Sequence, residues 1–204
     1  MPLSASVPRY RYNVFVTILS SSRPPASDIE LSCHPATPCA AVRSIRVQAR
    51  RAGASLELRY QLEGDIERIV VPAPTLPNRT DRLWQHTCLE AFVRAANSSR
   101  YVELNFSPSG EWAMYQFSGY RDGMANVAAA QAPRVSVHRD SGVLQLDAVV
   151  DLDCIPALLD AELDVALSAV IEETNAQISY WALAHPTGKP DFHHADGFAL
   201  RIAR

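Results

Sequence analysis

"ELNFSPSGEWAMYQFSGYRDGM", residues 103–124, is the stretch whose reading decides the fold. Apolar Leu104 and Phe106 alternate with polar neighbours, "SPSG" at 107–110 marks a turn, and "EWAMYQFSGY" returns with the same rhythm of two. That rhythm belongs to a β-hairpin, with Leu104, Phe106, Met114 and Phe117 as its expected core residues. Asn105, Glu111 and Arg121 are polar residues set among them, which raises the question of whether the hairpin also forms one wall of a binding site.

The same period governs the chain on both sides. "RSIRVQARRAGASLELRYQLEG" (43–64) reads as an antiparallel hairpin turning near Gly53, with one solvated face. A short strand is expected at Ile69–Val71, followed by the proline-rich loop "PAPTLPNRTD". "CLEAFVRA" (88–95) fits strand or helix by pattern, and its pairing with "RYVELNFSP" favours strand. "RVSVHRDSGVLQLDAVVDL" repeats strand, turn and strand. "IPALLD" reads as a turn or two of helix with Pro156 near its start. "VALSAVIEET", "QISYWALA" and "GFALRIA" are three further strands. About ten to twelve short strands predict an all-β protein, an antiparallel β-sandwich of jelly-roll or immunoglobulin-like type. No repeat and no second domain is evident. Residues 1–28, with a short apolar run at Val14–Leu19 and a Ser/Pro stretch, read as a poorly ordered extension able to add one strand, and residues 29–204 as the domain.

Composition narrows the function classes. The 204 residues are 48% hydrophobic and 20% charged, as in an ordinary globular chain. The net charge is −3, and Lys189 is the single lysine, so the clustered cations that nucleic-acid binding needs are missing. No run of about 18 apolar residues predicts a transmembrane helix, and the N-terminus is a poor signal peptide, so a cytoplasmic location is expected. Cys33, Cys39, Cys88 and Cys154 form no C-x-x-C pair. Cys33 and Cys39 are near enough for a disulfide, but four reduced thiols are the expectation for such a location.

No catalytic motif stands out. There is no G-x-S-x-G elbow, P-loop or dinucleotide-binding glycine pattern, and Ser107 and Ser109 sit in a turn where serines bond local backbone. "HPTGKPDFHHADGF" gathers His185, Asp191, His193, His194 and Asp196, but adjacent His193 and His194 point to opposite faces of a strand, and a polar loop is the expected reading, with no metal site. Haem, which takes His and Met as axial ligands, would find His86, Met114 and Met124. Glu90 with Glu103, or Glu172 with Glu173, offers paired carboxylates. Glu90 among apolar neighbours must either be paired, with Arg121, Arg82 or Arg100, or face a wet cleft. Trp112 and Trp181 lie within alternating strands and read as core. Trp84 leaves a loop among polar neighbours and, with Gln85, Glu90, Asn105 and Arg121, offers the indole, amide, carboxylate and guanidinium that a sugar uses.

The runs "TDRLWQHTCLEAFV", "YVELNFSPSGEWAMYQFSGYRDGM" and "SYWALAHPTGKPDFHHADGFAL" resemble the DOMON-like β-sandwich proteins, a group similar to the family 9 carbohydrate-binding modules. The resemblance covers roughly residues 29–204. It implies a β-sandwich that binds a sugar or a haem and performs no chemistry. In the sugar-binding relatives a tryptophan followed six residues later by a glutamate lies at the ligand site, a spacing met here by Trp84 and Glu90. A second aromatic from a late loop clamps the sugar beside an amide. The corresponding loop here offers His185, Lys189, Phe192 and His193 and departs in having no tryptophan and no asparagine. The expected function is a non-catalytic module for a small-molecule ligand, carbohydrate first, with haem binding or a ligand-free interaction domain as alternatives. Its expected ligand-binding residues are Trp84, Glu90, Asn105, Arg121, His185, Lys189, Phe192 and His193.

Overall fold

The computed structural model describes residues 28–128 and 131–204. The expected N-terminal extension lies, but for Asp28, outside the described residues. Twelve strands carry the fold: β1 (Ile29–Cys33), β2 (Val42–Ala52), β3 (Ser55–Gly64), β4 (Cys88–Ala95), β5 (Tyr101–Phe106), β6 (Trp112–Phe117), β7 (Ala125–Asn126), β8 (Arg134–Arg139), β9 (Val143–Asp151), β10 (Leu163–Glu172), β11 (Ile178–Ala182) and β12 (Leu200–Ile202). One short helix, α1 (Pro156–Leu159), begins at the expected proline. All strand pairs are antiparallel within strands, and they run in the order β7-β6-β5-β4-β10-β11-β1-β2-β3-β9-β8, with β12 beside the start of β10.

This single ladder folds over on itself as a β-sandwich. Val47, Leu58, Tyr60 and Leu146 from one half share a buried cluster with Leu89, Leu104, Met114 and Leu167 from the other. Tyr60 crosses the core, its hydroxyl donating to the Glu90 carbonyl at 2.7 Å. The two halves differ in exposure. β3 and β9 alternate between buried and wetter positions, the mark of a sheet with one face toward solvent. β4, β5 and β10 are buried almost throughout, because their outer face is covered too. There Leu83, Cys88, Phe92, Tyr101, Tyr115, Phe117 and Ala166 form a second cluster under Phe192 and Phe198.

Phe117 is buried as expected, in this outer cluster, while Met114 lies in the central one; an odd separation along one strand places the two on opposite faces. One sequence expectation is corrected. The strand expected at Ile69–Val71 is a single bridge, Ile69 to Glu173, after a 3-10 turn at Ile66–Arg68. Pro72, Pro74 and Pro77 have no N–H with which to continue a ladder. The segment they end instead lies along the β5–β6 turn through Thr75 N to Ser109 O at 2.8 Å and Thr80 N to Trp112 O at 3.0 Å. Trp112 and Trp181 are buried in the core, and the four cysteines are free thiols.

Candidate functional site

The outer face of β4, β5, β6 and β10 forms the floor of a cleft of about 550 Å3. Alternation dictates what reaches it. The central core takes Leu89, Ala91 and Val93 from β4 and Leu104 and Phe106 from β5, so Cys88, Glu90 and Phe92, and Glu103 and Asn105, point the other way. In the β4–β5 register Phe92 stands opposite Glu103 and Glu90 opposite Asn105. Two carboxylates therefore sit diagonally on adjacent strands of one surface. Phe92, Phe117, Tyr180, Phe192 and Trp84 supply apolar walls, and Arg121, Met124 and Lys189 complete the lining.

Glu90 is only 2% exposed, and its Oε1 atom has no hydrogen-bond partner. Burial pushes its carboxyl well above the ordinary range, and the neighbouring Glu103 pushes it further, against a hydrogen bond with the Cys88 thiol. Glu103, 6% exposed, is likewise raised by burial, opposed by a hydrogen bond from Asn105 Nδ2 at 2.8 Å and by the charge of Arg121. Asn105 is fully buried. Its carbonyl oxygen accepts from the Cys88 thiol at 3.7 Å, so this expected ligand contact lies behind Glu103 and orients it.

His193 stands over the floor, with Nε2 at 3.8 Å from Glu103 Oε2. Phe92 and Phe117 meet its ring edge-on at 4.9 and 5.2 Å. Its Nδ1 lies 2.7 Å from the Tyr101 hydroxyl, which itself accepts from the Arg121 backbone N–H at 3.1 Å. Burial, helped by the Arg121 charge and opposed by Asp191, lowers the His193 pKa to about 4, so the ring is neutral at pH 7. Tyr101 stacks flat on Phe117 at 4.7 Å, tying this wall to β6.

Arg121 arrives on a tight turn. Ser118 N bonds Asp122 O at 3.0 Å, Arg121 itself has φ 52°, and Gly123 has φ 63°. A Cβ on Gly123 would stand 2.2 Å from Ser118 Oγ, so glycine is required there. Arg121 Nη2 then donates to Asp191 Oδ1 at 2.7 Å, and the Tyr120 hydroxyl donates to the other Asp191 oxygen. Burial raises the Asp191 pKa, but those two hydrogen bonds and the Arg121 charge outweigh it and leave it lowered. Trp84, on a 3-10 turn at Leu83–Gln85, is 36% exposed and meets Tyr115 edge-on at 6.0 Å.

Of the eight residues singled out from sequence, the cleft brings together Trp84, Glu90, Arg121, Lys189, Phe192 and His193. Asn105 shares their sheet face but is fully buried and does not line the cleft. His185 is outside: Nε2 pairs with the Ser32 carbonyl at 2.9 Å, and its ring meets His34 edge-on. It borders a polar hollow of about 470 Å3 beyond the rim, shared with Arg121 and Lys189. Sequence reasoning passed over Phe117 and Tyr180, and raised Glu103 only as a carboxylate paired with Glu90 and Met124 only as a haem ligand. For Glu103 the signal was at hand, since Asn105 two positions on must share its face.

Met114 is buried in the central core, so it cannot serve as an axial ligand to a haem in the cleft. His86 is bonded through Nδ1 to Glu172 at 2.7 Å. Glu173 is buried and held by Arg68 Nη2 at 3.0 Å and Ala40 N at 3.1 Å, and so is a structural anchor. His194 Nδ1 caps a 3-10 turn by accepting from Asp196 N at 3.3 Å. Ser107 and Ser109 bond each other at 2.9 Å, and Ser109 bonds Glu111 at 2.9 Å. Among the described residues no cluster of His, Cys, Asp or Glu side chains is arranged to hold a metal ion, and no helix is long and apolar enough to cross a membrane.

No protein-family model and no curated protein matches the chain. Solved structures do. A protein from Bacteroides uniformis, provisionally described as carbohydrate-binding, is similar with a TM-score of 0.63 at 14% identity, over 87% of this chain and 85% of that one. A family 9 carbohydrate-binding module from Caldicellulosiruptor kristjanssonii in complex with glucose gives 0.48 at 10% identity, over 87% of this chain and 83% of that one. A family 9 module from the same organism in complex with cellotriose gives 0.44 at 11%, over 80% and 75%. What is shared at such identities is the fold, and the first of these shows the β-sandwich independently of the strand pattern.

Proposed function

We propose that this protein is a non-catalytic binding module and that its cleft takes a carbohydrate. The observation that carries the reading is the unpartnered Glu90 Oε1 on the floor of an aromatic-walled cleft. A buried polar atom without a partner is costly, and a hydroxyl entering the cleft would satisfy it. Sugars present such hydroxyls beside apolar C–H faces, which match the exposed indole of Trp84 and the rings of Phe92, Phe117, Tyr180 and Phe192. Arg121 and Lys189 at the mouth donate to oxygens. The fold shared with the Bacteroides protein agrees with this role. A non-catalytic role is supported by the placing of the carboxylates. Glycosidases flank the scissile bond with two carboxyl groups, whereas Glu90 and Glu103 lie side by side on one sheet surface.

The reading is tested by titrating mono- and disaccharides against intrinsic tryptophan fluorescence. Trp112 and Trp181 are buried, so a ligand-dependent change should come from Trp84 and vanish in Trp84→Ala. No change with any sugar removes the reading.

A further inference from the structure

We infer that the sugar taken by this cleft carries a protonated amine, seated on the floor between Glu90 and Glu103. This rests on the carbohydrate reading above and narrows it to a class of ligand.

The floor holds two carboxyl groups with no cation bonded to either. Glu90 Oε1 is bare, and so is the buried Ser168 Oγ, whose residue stands opposite Glu90 in the β4–β10 register. The nearest basic group to Glu103 is His193, at 3.8 Å, and burial keeps that imidazole neutral at pH 7. The guanidinium of Arg121 acts on Glu103 only through space, its own hydrogen bond going to Asp191 at 2.7 Å. Lys189, on the rim loop, makes no ion pair among the described residues and bonds neither glutamate. The floor is thus a pair of buried carboxyl groups without a counter-ion, held toward their neutral forms until a cation arrives.

A hydroxyl has one proton to give, and an ammonium has three. Two unfilled or under-filled acceptors, Glu90 Oε1 and Glu103 Oε2, line the cleft, and the unbonded Ser168 Oγ belongs to the residue paired with Glu90 on the next strand. A cation would also allow both carboxyls to ionise, which two neighbouring buried acids cannot do alone. The remaining hydroxyls of the ring would point outward to Arg121 and Lys189, which are donors and suit oxygen but not nitrogen cations. The seat therefore fixes which end of the sugar enters.

The test is isothermal titration calorimetry at pH 7 with glucosamine, galactosamine and mannosamine, each beside its neutral parent sugar and its N-acetyl derivative. At least one amine should bind about tenfold tighter than its parent or better, as charge-assisted hydrogen bonds replace neutral ones. The N-acetyl form should lose that advantage. In Glu90→Gln the ratio of amine to parent affinity should fall to about one, and Glu103→Gln provides a second variant should the first not fold. Equal binding of amine and parent overturns the inference and leaves the carbohydrate reading standing. A ratio that survives both variants places the amine elsewhere and also overturns it. Binding of none of these sugars removes the inference, while the fluorescence titration with larger saccharides decides the broader reading.

Discussion

Arg121, on the cleft wall, and Asp191, in the neighbouring polar hollow, are joined Nη2 to Oδ1 at 2.7 Å across 70 residues of sequence. One stands on the turn after β6, the other on the loop between β11 and β12. The pair is partly exposed, so it adds at most about 1 kcal/mol to stability. Its larger effect is positional, because it fixes the loop that carries Phe192 and His193. Asp191→Ala should therefore weaken ligand binding several-fold while moving the urea midpoint little. A large loss of stability with binding intact would contradict this.

Tyr101 is the joint behind that pair. Its hydroxyl accepts from Arg121 N and meets His193 Nδ1. Tyr101→Phe leaves both groups without that partner in a partly buried setting, at a cost of about 1–3 kcal/mol. Equilibrium urea unfolding should show the loss, and ligand affinity should fall with it.

Tyr60 lies on the far side of the sandwich and still reaches the site, through its hydrogen bond to the Glu90 carbonyl. Tyr60→Phe keeps the packing and removes the donor. A loss of about 1 kcal/mol in chemical denaturation is expected, with the fold unchanged by circular dichroism.

Two buried groups give stability opposite dependences on pH. His193 titrates at about 4 in the folded protein against about 6.5 in an unfolded chain. Between those values the unfolded chain binds the extra proton, so stability is lost as pH falls through the window. His193→Gln should flatten that slope. Glu90 is raised by burial and by Glu103, so the folded protein holds the extra proton, and stability is lost as pH rises through its folded pKa. Glu90→Gln should then melt higher relative to wild type as pH increases. Melting curves of the three proteins from pH 4 to pH 9 separate the two effects. A constant offset at every pH would contradict both.

Much of this was legible in sequence because strands advertise their period. "RVQARRAGASLELRYQ" shows one buried and one wetter face, and its hairpin is found where the alternation places it. "CLEAFVRA" was harder, because β4 is buried on both faces and the polar half of the pattern is replaced by Cys88 and Phe92. The same two-sided burial is what makes Glu90 informative, as a carboxylate in an apolar run must have a reason to be there. Loop geometry left no such trace. Nothing in "AHPTGKPDFHHADG" says that His193 turns inward to Tyr101 while His185 turns back to the Ser32 carbonyl. Those directions depend on partners more than 90 residues away in the chain.

β1 has a role that its length of five residues conceals. It pairs with β11 through Ser32 and Cys33 and with β2 through Ile29, Glu30 and Leu31, and so joins the site-bearing half of the ladder to the other half. The natural ends of the ladder are guarded: β7 is two residues long, and β8 is mostly exposed and carries Arg134, His138 and Arg139. β11, "ISYWA", has no charge of its own. A chain cut short of β1 would expose its unsatisfied backbone edge to the same edge on another molecule, and the first symptom would be self-association, not loss of the cleft.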